Sequence, residues 1–198
     1  MLKPTNTDLQ VQVGNYVESL KDTLFAAAIN WDIYWIYKEH DSRATHRKVL
    51  DRYPQFFALS AHAHFVASII AIYRALEANS NTINLRMLLD AVQTAQMLLE
   101  HELLPFRERL SSFLPVWQGV TIVRSNVFAH ESRHRNSDYY FERAGVSYDQ
   151  VSGLIRDMQS FLSSLAAALY NKPISFEIAV HKELVQLLTD LKNAPERA

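Results

Sequence analysis

Arg124 and His130 stand six residues apart in the stretch VRSNVFAHESRH, and the two side chains suit metal-free RNA cleavage. That reaction needs a base for the ribose 2′-hydroxyl, an acid for the departing 5′-oxygen, and cations on the phosphorane. Imidazole titrates near neutrality and moves protons. A guanidinium grips phosphate oxygens bidentately. One imidazole cannot be base and acid at once, so a second copy from a homodimer partner is a natural requirement. Asn126, four before His130, shares its helical face and is placed to orient the ring or to touch phosphate. Residues six apart on an α-helix sit about 120° from each other, an angle that a long arginine makes up in part. The spacing alone is a weak signal, because ordinary residue frequencies give about one such pair in any chain of this size.

A second motif overlaps the first. His130-Glu131-Ser132-Arg133-His134 reads as HExxH, which in zinc peptidases sets two imidazoles on one helical face with the glutamate as general base. Its surroundings argue against zinc. Arg133 and Arg135 would oppose a divalent cation, and the following Arg-Asn-Ser-Asp138 offers nothing apolar to hold a helix down. Glu142 and Glu177 are candidate third ligands without further support. The preferred reading therefore has no metal and no cofactor, and Arg133, His134 and Arg135 become candidate RNA contacts.

These residues need a scaffold, and the periodicity is helical throughout. Val13, Val17, Leu20 and Leu24 form one stripe, and the following segment to Tyr37 is apolar on nearly every side, as expected inside a bundle. Pro54 suits a first helical position. Phe65, Ile69, Ile70, Tyr73 and Leu76 follow at helical steps. After a polar turn at 79–84, Leu85, Leu88, Leu89, Val92, Gln96 and Leu99 extend the period, and Pro105 and Pro115 read as boundaries. Residues 130–145 look like a helix end plus loop. Ser147 with Gln150 makes a capping box for a helix striped by Val151, Leu154, Ile155, Met158, Phe161, Leu162, Leu165 and Leu169. Pro173 stops it, and Leu184, Val185, Leu188 and Leu191 mark a last amphipathic helix. The expectation is one all-α domain over 1–198, a helical bundle of about six or seven helices.

Composition narrows the function classes. In 198 residues there is no cysteine, which excludes disulfides, thiolate metal sites and cysteine nucleophiles. Four glycines argue against glycine-rich phosphate loops. A net charge of −1 gives no global field for nucleic acid or membrane, so any phosphate site must be local. No apolar run approaches the length of a bilayer span, and MLKPTNTDLQ lacks a signal-peptide core. A cytoplasmic protein without a membrane partner is expected.

The chain from about Val17 to Leu169 resembles the abortive-infection U-type branch of the bacterial HEPN proteins, whose superfamily signature is Arg-x4–6-His. The segment YPQFFALSAHAHFVASIIAIYRALEANSNTINLRMLL looks like that family's second long helix, turn and next helix. The discriminating part is VRSNVFAHES, similar to the family's Arg-(Asn/Asp)-Lys-x-x-Ala-His-x-(Asp) core, and VSYDQVSGLIRDMQSFLSSLAAAL is like the helix that follows it. Two departures stand out: Ser125 precedes the polar Asn126, and Glu131 takes the acidic place after the histidine. The resemblance implies a HEPN-like bundle, a homodimer with the motif facing across the interface, and a role in phage defence or toxin–antitoxin biology, with an antitoxin or other partner protein. Arg124 would clamp phosphate, His130 transfer the proton and Asn126 orient it. The alternative is a non-catalytic helical scaffold that uses the same surface, and a zinc peptidase comes third.

Other candidates have plainer readings. His62 falls on the stripe with Val66, Ile69 and Tyr73 and reads as a core histidine. His64 sits about 200° away, so the two cannot chelate from one helix. Glu39 to Arg43 with His46 looks metal-like by composition but reads as a solvated helix end. Trp31, Tyr34, Trp35 and Tyr37 read as core or subunit interface rather than as base-stacking rings.

Overall fold

A computed structural model describes residues 5–79, 81–129, 137–177 and 179–194. Among them every regular element is a helix, and there are nine. The longest, α1 (Asn6–Lys38), is the axis of the bundle. Thr5 starts it: the hydroxyl accepts the Asp8 amide at 3.2 Å, and the Asp8 carboxylate accepts the Thr5 amide at 2.9 Å. Its stripe of Val13, Val17, Leu20 and Leu24 is buried as the spacing predicts, and Trp31, Tyr34 and Ile36 continue it. Weak amphipathicity in this helix reflects its position, with α3, α4, α8, α9 and α2 against different sides.

Glu39 ends α1 and starts α2 (His40–Arg52), accepting the amides of Asp41 at 3.0 Å and Ser42 at 2.6 Å. The metal-like string is therefore a helix cap followed by its first turn. Pro54 opens α3 (Pro54–Leu76), which lies along α1 and is tied to it by polar bonds. Ser68 donates to the Ala27 carbonyl at 2.9 Å, and His64 Nδ1 lies 2.8 Å from Asn30 Oδ1. It is thus His64 that is half-buried and partnered, while His62 is exposed. The core face of α3 runs through Phe57, Phe65, Ser68, Ile69, Ile72 and Ala75, one position off the stripe read from sequence. Buried Ser68 and Ala75, neither of them a large apolar residue, disguise that face. A second correction concerns hydropathy. α3 is long and apolar enough by composition to cross a membrane, with mean hydropathy 1.6 in its best window and 33% of that window buried. Its alanines and isoleucines outweigh the two histidines that interrupt it to the eye.

Asn84 caps α4 (Leu85–Thr94), accepting the Met87 amide at 2.9 Å. The helix stops earlier than the period suggests. Gln96 takes a left-handed φ of 52°, and the Met97 amide reaches back to the Val92 carbonyl at 3.1 Å. Leu99 is exposed and precedes α5 (Glu100–Ser112), where Glu102 accepts its amide at 2.7 Å. Pro105 sits inside α5 rather than at a boundary. The helix survives its missing donor because it is pinned on both sides. Leu103 is fully buried, and Phe106 packs edge-on against Phe161 at 5.7 Å.

α6 (Leu114–Ala129) carries the Arg124 motif, and Pro115 lies in its first turn as expected. α7 (Ser137–Ala144) occupies sequence read as loop. α8 (Tyr148–Tyr170) begins with the predicted box, in which Ser147 Oγ accepts the Gln150 amide at 3.1 Å and Gln150 accepts the Ser147 amide at 2.7 Å. Its stripe is buried, apart from Leu169, which packs partly against the core. It ends at Asn171 in a left-handed conformation, φ 54°. The last helix, α9 (Val180–Asn193), closes a smaller core of Ile36, Val49, Leu50, Phe57 and Leu188.

His46 on α2 is buried on the side packed by α9, and its Nδ1 has no hydrogen-bond partner among the described residues. Burial, reinforced by the Lys192 charge, pushes its pKa below the ordinary 6.5, and burial pushes His64 the same way. The unfolded chain therefore takes up these protons first, so stability is lost as pH falls through about 6.5. Urea unfolding measured from about pH 7.5 down to about pH 5.5 should show that loss, and His46→Leu should flatten part of the slope. An unchanged slope in the variant would contradict the assignment.

Candidate active site

The helix α6 holds its motif residues at two different depths. Arg124 is half-buried, and its guanidinium carbon lies over the Tyr73 ring of α3, 4.2 Å from the centroid. Trp117, two turns earlier on the same face, stacks on that tyrosine at 6.0 Å with an interplanar angle of 23°. Tyr73 thus carries both an aromatic and a cationic neighbour from α6, which fixes where the arginine can reach. Sequence reading took Tyr73 as another apolar residue of the core stripe. The signal that identifies it is the heptad spacing of Trp117 and Arg124, which sets both on one face of α6.

Asn126 is on another face, about 200° round the helix from Arg124. It is 8% exposed, and its Nδ2 donates to the Ile122 carbonyl at 2.9 Å. The structure therefore does not bring the Arg124 and Asn126 side chains together. His130, Arg133, His134 and Arg135 lie outside the described residues, as does the HExxH motif that begins at His130. Of the extra carboxylates considered for zinc, Glu142 is exposed on α7 and Glu177 is exposed between α8 and α9. Among the described residues no three His, Asp or Glu side chains are grouped to hold a metal ion.

The packing around α6 and α7 sets the frame on either side of the motif. Gly119 on α6 lets Val146 pack directly on the helix, since a Cβ at 119 would stand 2.8 Å from the Val146 Cβ. α7 is held by rings. Phe141 stacks on Tyr148 at 4.2 Å and tilts against Phe65 at 5.8 Å and Trp31 at 6.1 Å. Trp31 donates its indole N–H to Ser152 Oγ at 2.7 Å. Asp138 accepts from Lys38 at 2.8 Å and from the Tyr148 hydroxyl at 2.5 Å. The ion pair is partly exposed and worth about 0–1 kcal/mol, whereas each ring pair adds about 0.5–1.5 kcal/mol beyond its buried area. The aromatic contacts decide where α7 sits. Trp31 and Tyr34 are core residues as expected, and Trp35 and Tyr37 are half-buried, against Tyr148 and Phe57 respectively.

Comparison with known families settles the lineage. The family model described as HEPN_AbiU2, AbiU2, matches residues 11–186. The chain belongs to the HEPN AbiU2 family. No curated protein and no solved structure matches it. The match spans α1 to α9 and includes the whole Arg124–His130 motif, so the all-helical architecture is that of a HEPN protein. Membership carries an abortive-infection, toxin-like role.

The contact between Arg124 and Tyr73 is open to direct measurement. A double-mutant cycle with Arg124→Met and Tyr73→Leu should return a coupling of about 0.5–1 kcal/mol in unfolding free energy. Tyr73→Phe keeps the ring and should keep most of that coupling. A coupling near zero with Tyr73→Leu would mean that the ring does not hold the guanidinium.

Proposed function

We propose that this HEPN AbiU2 protein is a metal-independent endoribonuclease that acts as a toxin in phage defence. The observation that carries the reading is the family motif itself: Arg124 on α6, six residues before His130, inside a chain matched along most of its length by an abortive-infection family. Arg124 clamps the scissile phosphate. Its guanidinium is restricted by Tyr73, which lowers the ordering cost of binding phosphate. His130 removes the 2′-hydroxyl proton, and the His130 of a second copy protonates the 5′-oxygen, so the working form is a homodimer. The attacking 2′-oxygen forms its bond to phosphorus as the 5′-oxygen leaves. The products are a 2′,3′-cyclic phosphate and a 5′-hydroxyl.

Asn126 acts as the orienter through its carbonyl oxygen, because its Nδ2 is engaged with Ile122 in its own helix. Arg133, His134 and Arg135 extend the cationic surface toward the RNA strand. The chemistry uses no cofactor and no metal, the chain works as a single domain in the cytoplasm, and a cognate antitoxin or other partner protein restrains it.

A second reading keeps the fold and drops the chemistry, leaving a helical scaffold that binds RNA or a partner protein. Two features favour keeping it in view: Asn126 faces away from Arg124, and the motif departs from the family order at Ser125. One assay separates the two. Cleavage of a mixed RNA pool in EDTA should proceed with wild type and fall at least about a hundredfold with His130→Ala or Arg124→Ala, the scale expected for losing a proton-transfer group. Cleavage that survives both substitutions, or that vanishes in EDTA with wild type, would overturn the metal-free mechanism.

A further inference from the structure

A cavity of about 390 Å³ opens between the end of α3, α4, α5 and the start of α6. It lies beside the candidate active site rather than in it. Leu76 is one turn past Tyr73 on α3, and Leu114 is one turn before Trp117 on α6. Those two leucines and Leu110 of α5 are half-buried and supply the apolar lining. No aromatic ring lines the cavity among the described residues.

The polar lining is cationic on balance. Arg107 of α5 is fixed in its plane: Nη1 donates to Asp90 Oδ1 of α4 at 3.2 Å, and Nη2 donates to Gln93 Oε1 at 2.8 Å. Gln93 is held in turn, its Nε2 donating to Glu100 Oε2 at 2.7 Å. A guanidinium carries more N–H donors than these bonds use, so Arg107 keeps some for a ligand. Arg86 of α4 is exposed and enters no ion pair among the described residues. Arg86 and Arg107 against Asp90 leave one net positive charge at the cavity. That balance fits a single carboxylate. A phosphate monoester, at about −1.5 to −2 near pH 7, would leave charge uncompensated, and a base would find no ring to stack on.

We propose that the cavity lined by Arg86, Arg107 and Leu76 binds a monocarboxylate with a compact apolar body. The carboxylate lies on the two arginines and the apolar body against the leucines. Arginine takes a carboxylate through charge-assisted bonds, and Asp90 and Gln93 hold Arg107 ready for it before the ligand arrives. A volume near the lower end of the small-molecule range, about 300–1,000 Å³, suits one such unit rather than a docked helix. The ligand is either a free apolar acid or the end of a peptide that finishes in leucine, and the recognising chemistry is the same. The site does not require that the chain cut RNA.

The test is NMR titration of the full-length protein with N-acetyl-leucine, with a short peptide ending in leucine, and with N-acetyl-leucinamide, which lacks the anion. Arg86→Glu and Ser111→Trp are compared with wild type; both positions are exposed on helices and line the cavity. The expected result is saturable binding of a carboxylate probe that each variant weakens by at least about tenfold without a change in melting temperature, with the amide weaker by a similar factor. Binding of the free acid supports a small molecule as the source, and binding of the peptide alone supports the chain end of a partner protein. No binding of either carboxylate by wild type, equal binding of the amide, or equal binding by the variants overturns the proposal. His130→Ala should bind both carboxylates as wild type does, so loss of cleavage and loss of this site remain separate results.

Discussion

Phe141 packed between Tyr148, Phe65 and Trp31 is the contact on which the functional side of the molecule depends. α7 has eight residues, too few to form a helix alone in water, so its position is set by what its rings touch. Those rings belong to three different helices, α1, α3 and α8. The same cluster therefore fixes α7 against the core formed by those helices. Val146 against Gly119 then locks the α7–α8 connection onto α6, so both flanks of the motif are referred to the same core.

In the proposed mechanism an all-helical protein would offer an RNA site built on a helix rather than on a glycine-rich loop. The cation is Arg124, held by a ring on the neighbouring helix rather than by a loop. The proposed proton carrier, His130, lies six residues on in the sequence. An arginine placed this way meets phosphate with less conformational entropy left to lose. The catalytic load on one histidine is then shared by symmetry, which is the physical reason for a dimer in the proposed mechanism.

Much of this was readable in the residues, because strong local signals agreed with tertiary packing. The α1 stripe, Pro54 and the Ser147–Gln150 box are all where their spacing and cap chemistry put them. The errors fall where tertiary contacts overrode local preference. Pro105 stays inside α5 because Leu103 and Phe106 are anchored in the core. α7 is polar in composition, and its buried Tyr140 and Phe141, with Ala144 partly packed behind them, make too short a pattern to register as a period. His62 and His64 exchanged roles because small residues, Ser68 and Ala75, occupy the true core face of α3. At the motif, the order of Arg124 and His130 was plain from sequence, but Tyr73 was not. The heptad spacing of Trp117 and Arg124 sets both on one face of α6, but Tyr73 itself sits on α3 in a run of apolar residues that reads as core.

The central claim is that the Arg124–His130 pair drives attack by the 2′-hydroxyl. The chemical form of the cut ends tests it most directly. RNA cleaved by the purified protein should carry 2′,3′-cyclic phosphate on one fragment and a 5′-hydroxyl on the other, as read by end-specific ligation and mass spectrometry. Fragments ending in a 3′-hydroxyl and a 5′-phosphate would mean that water, not the ribose, attacks phosphorus, and the mechanism drawn here would be wrong.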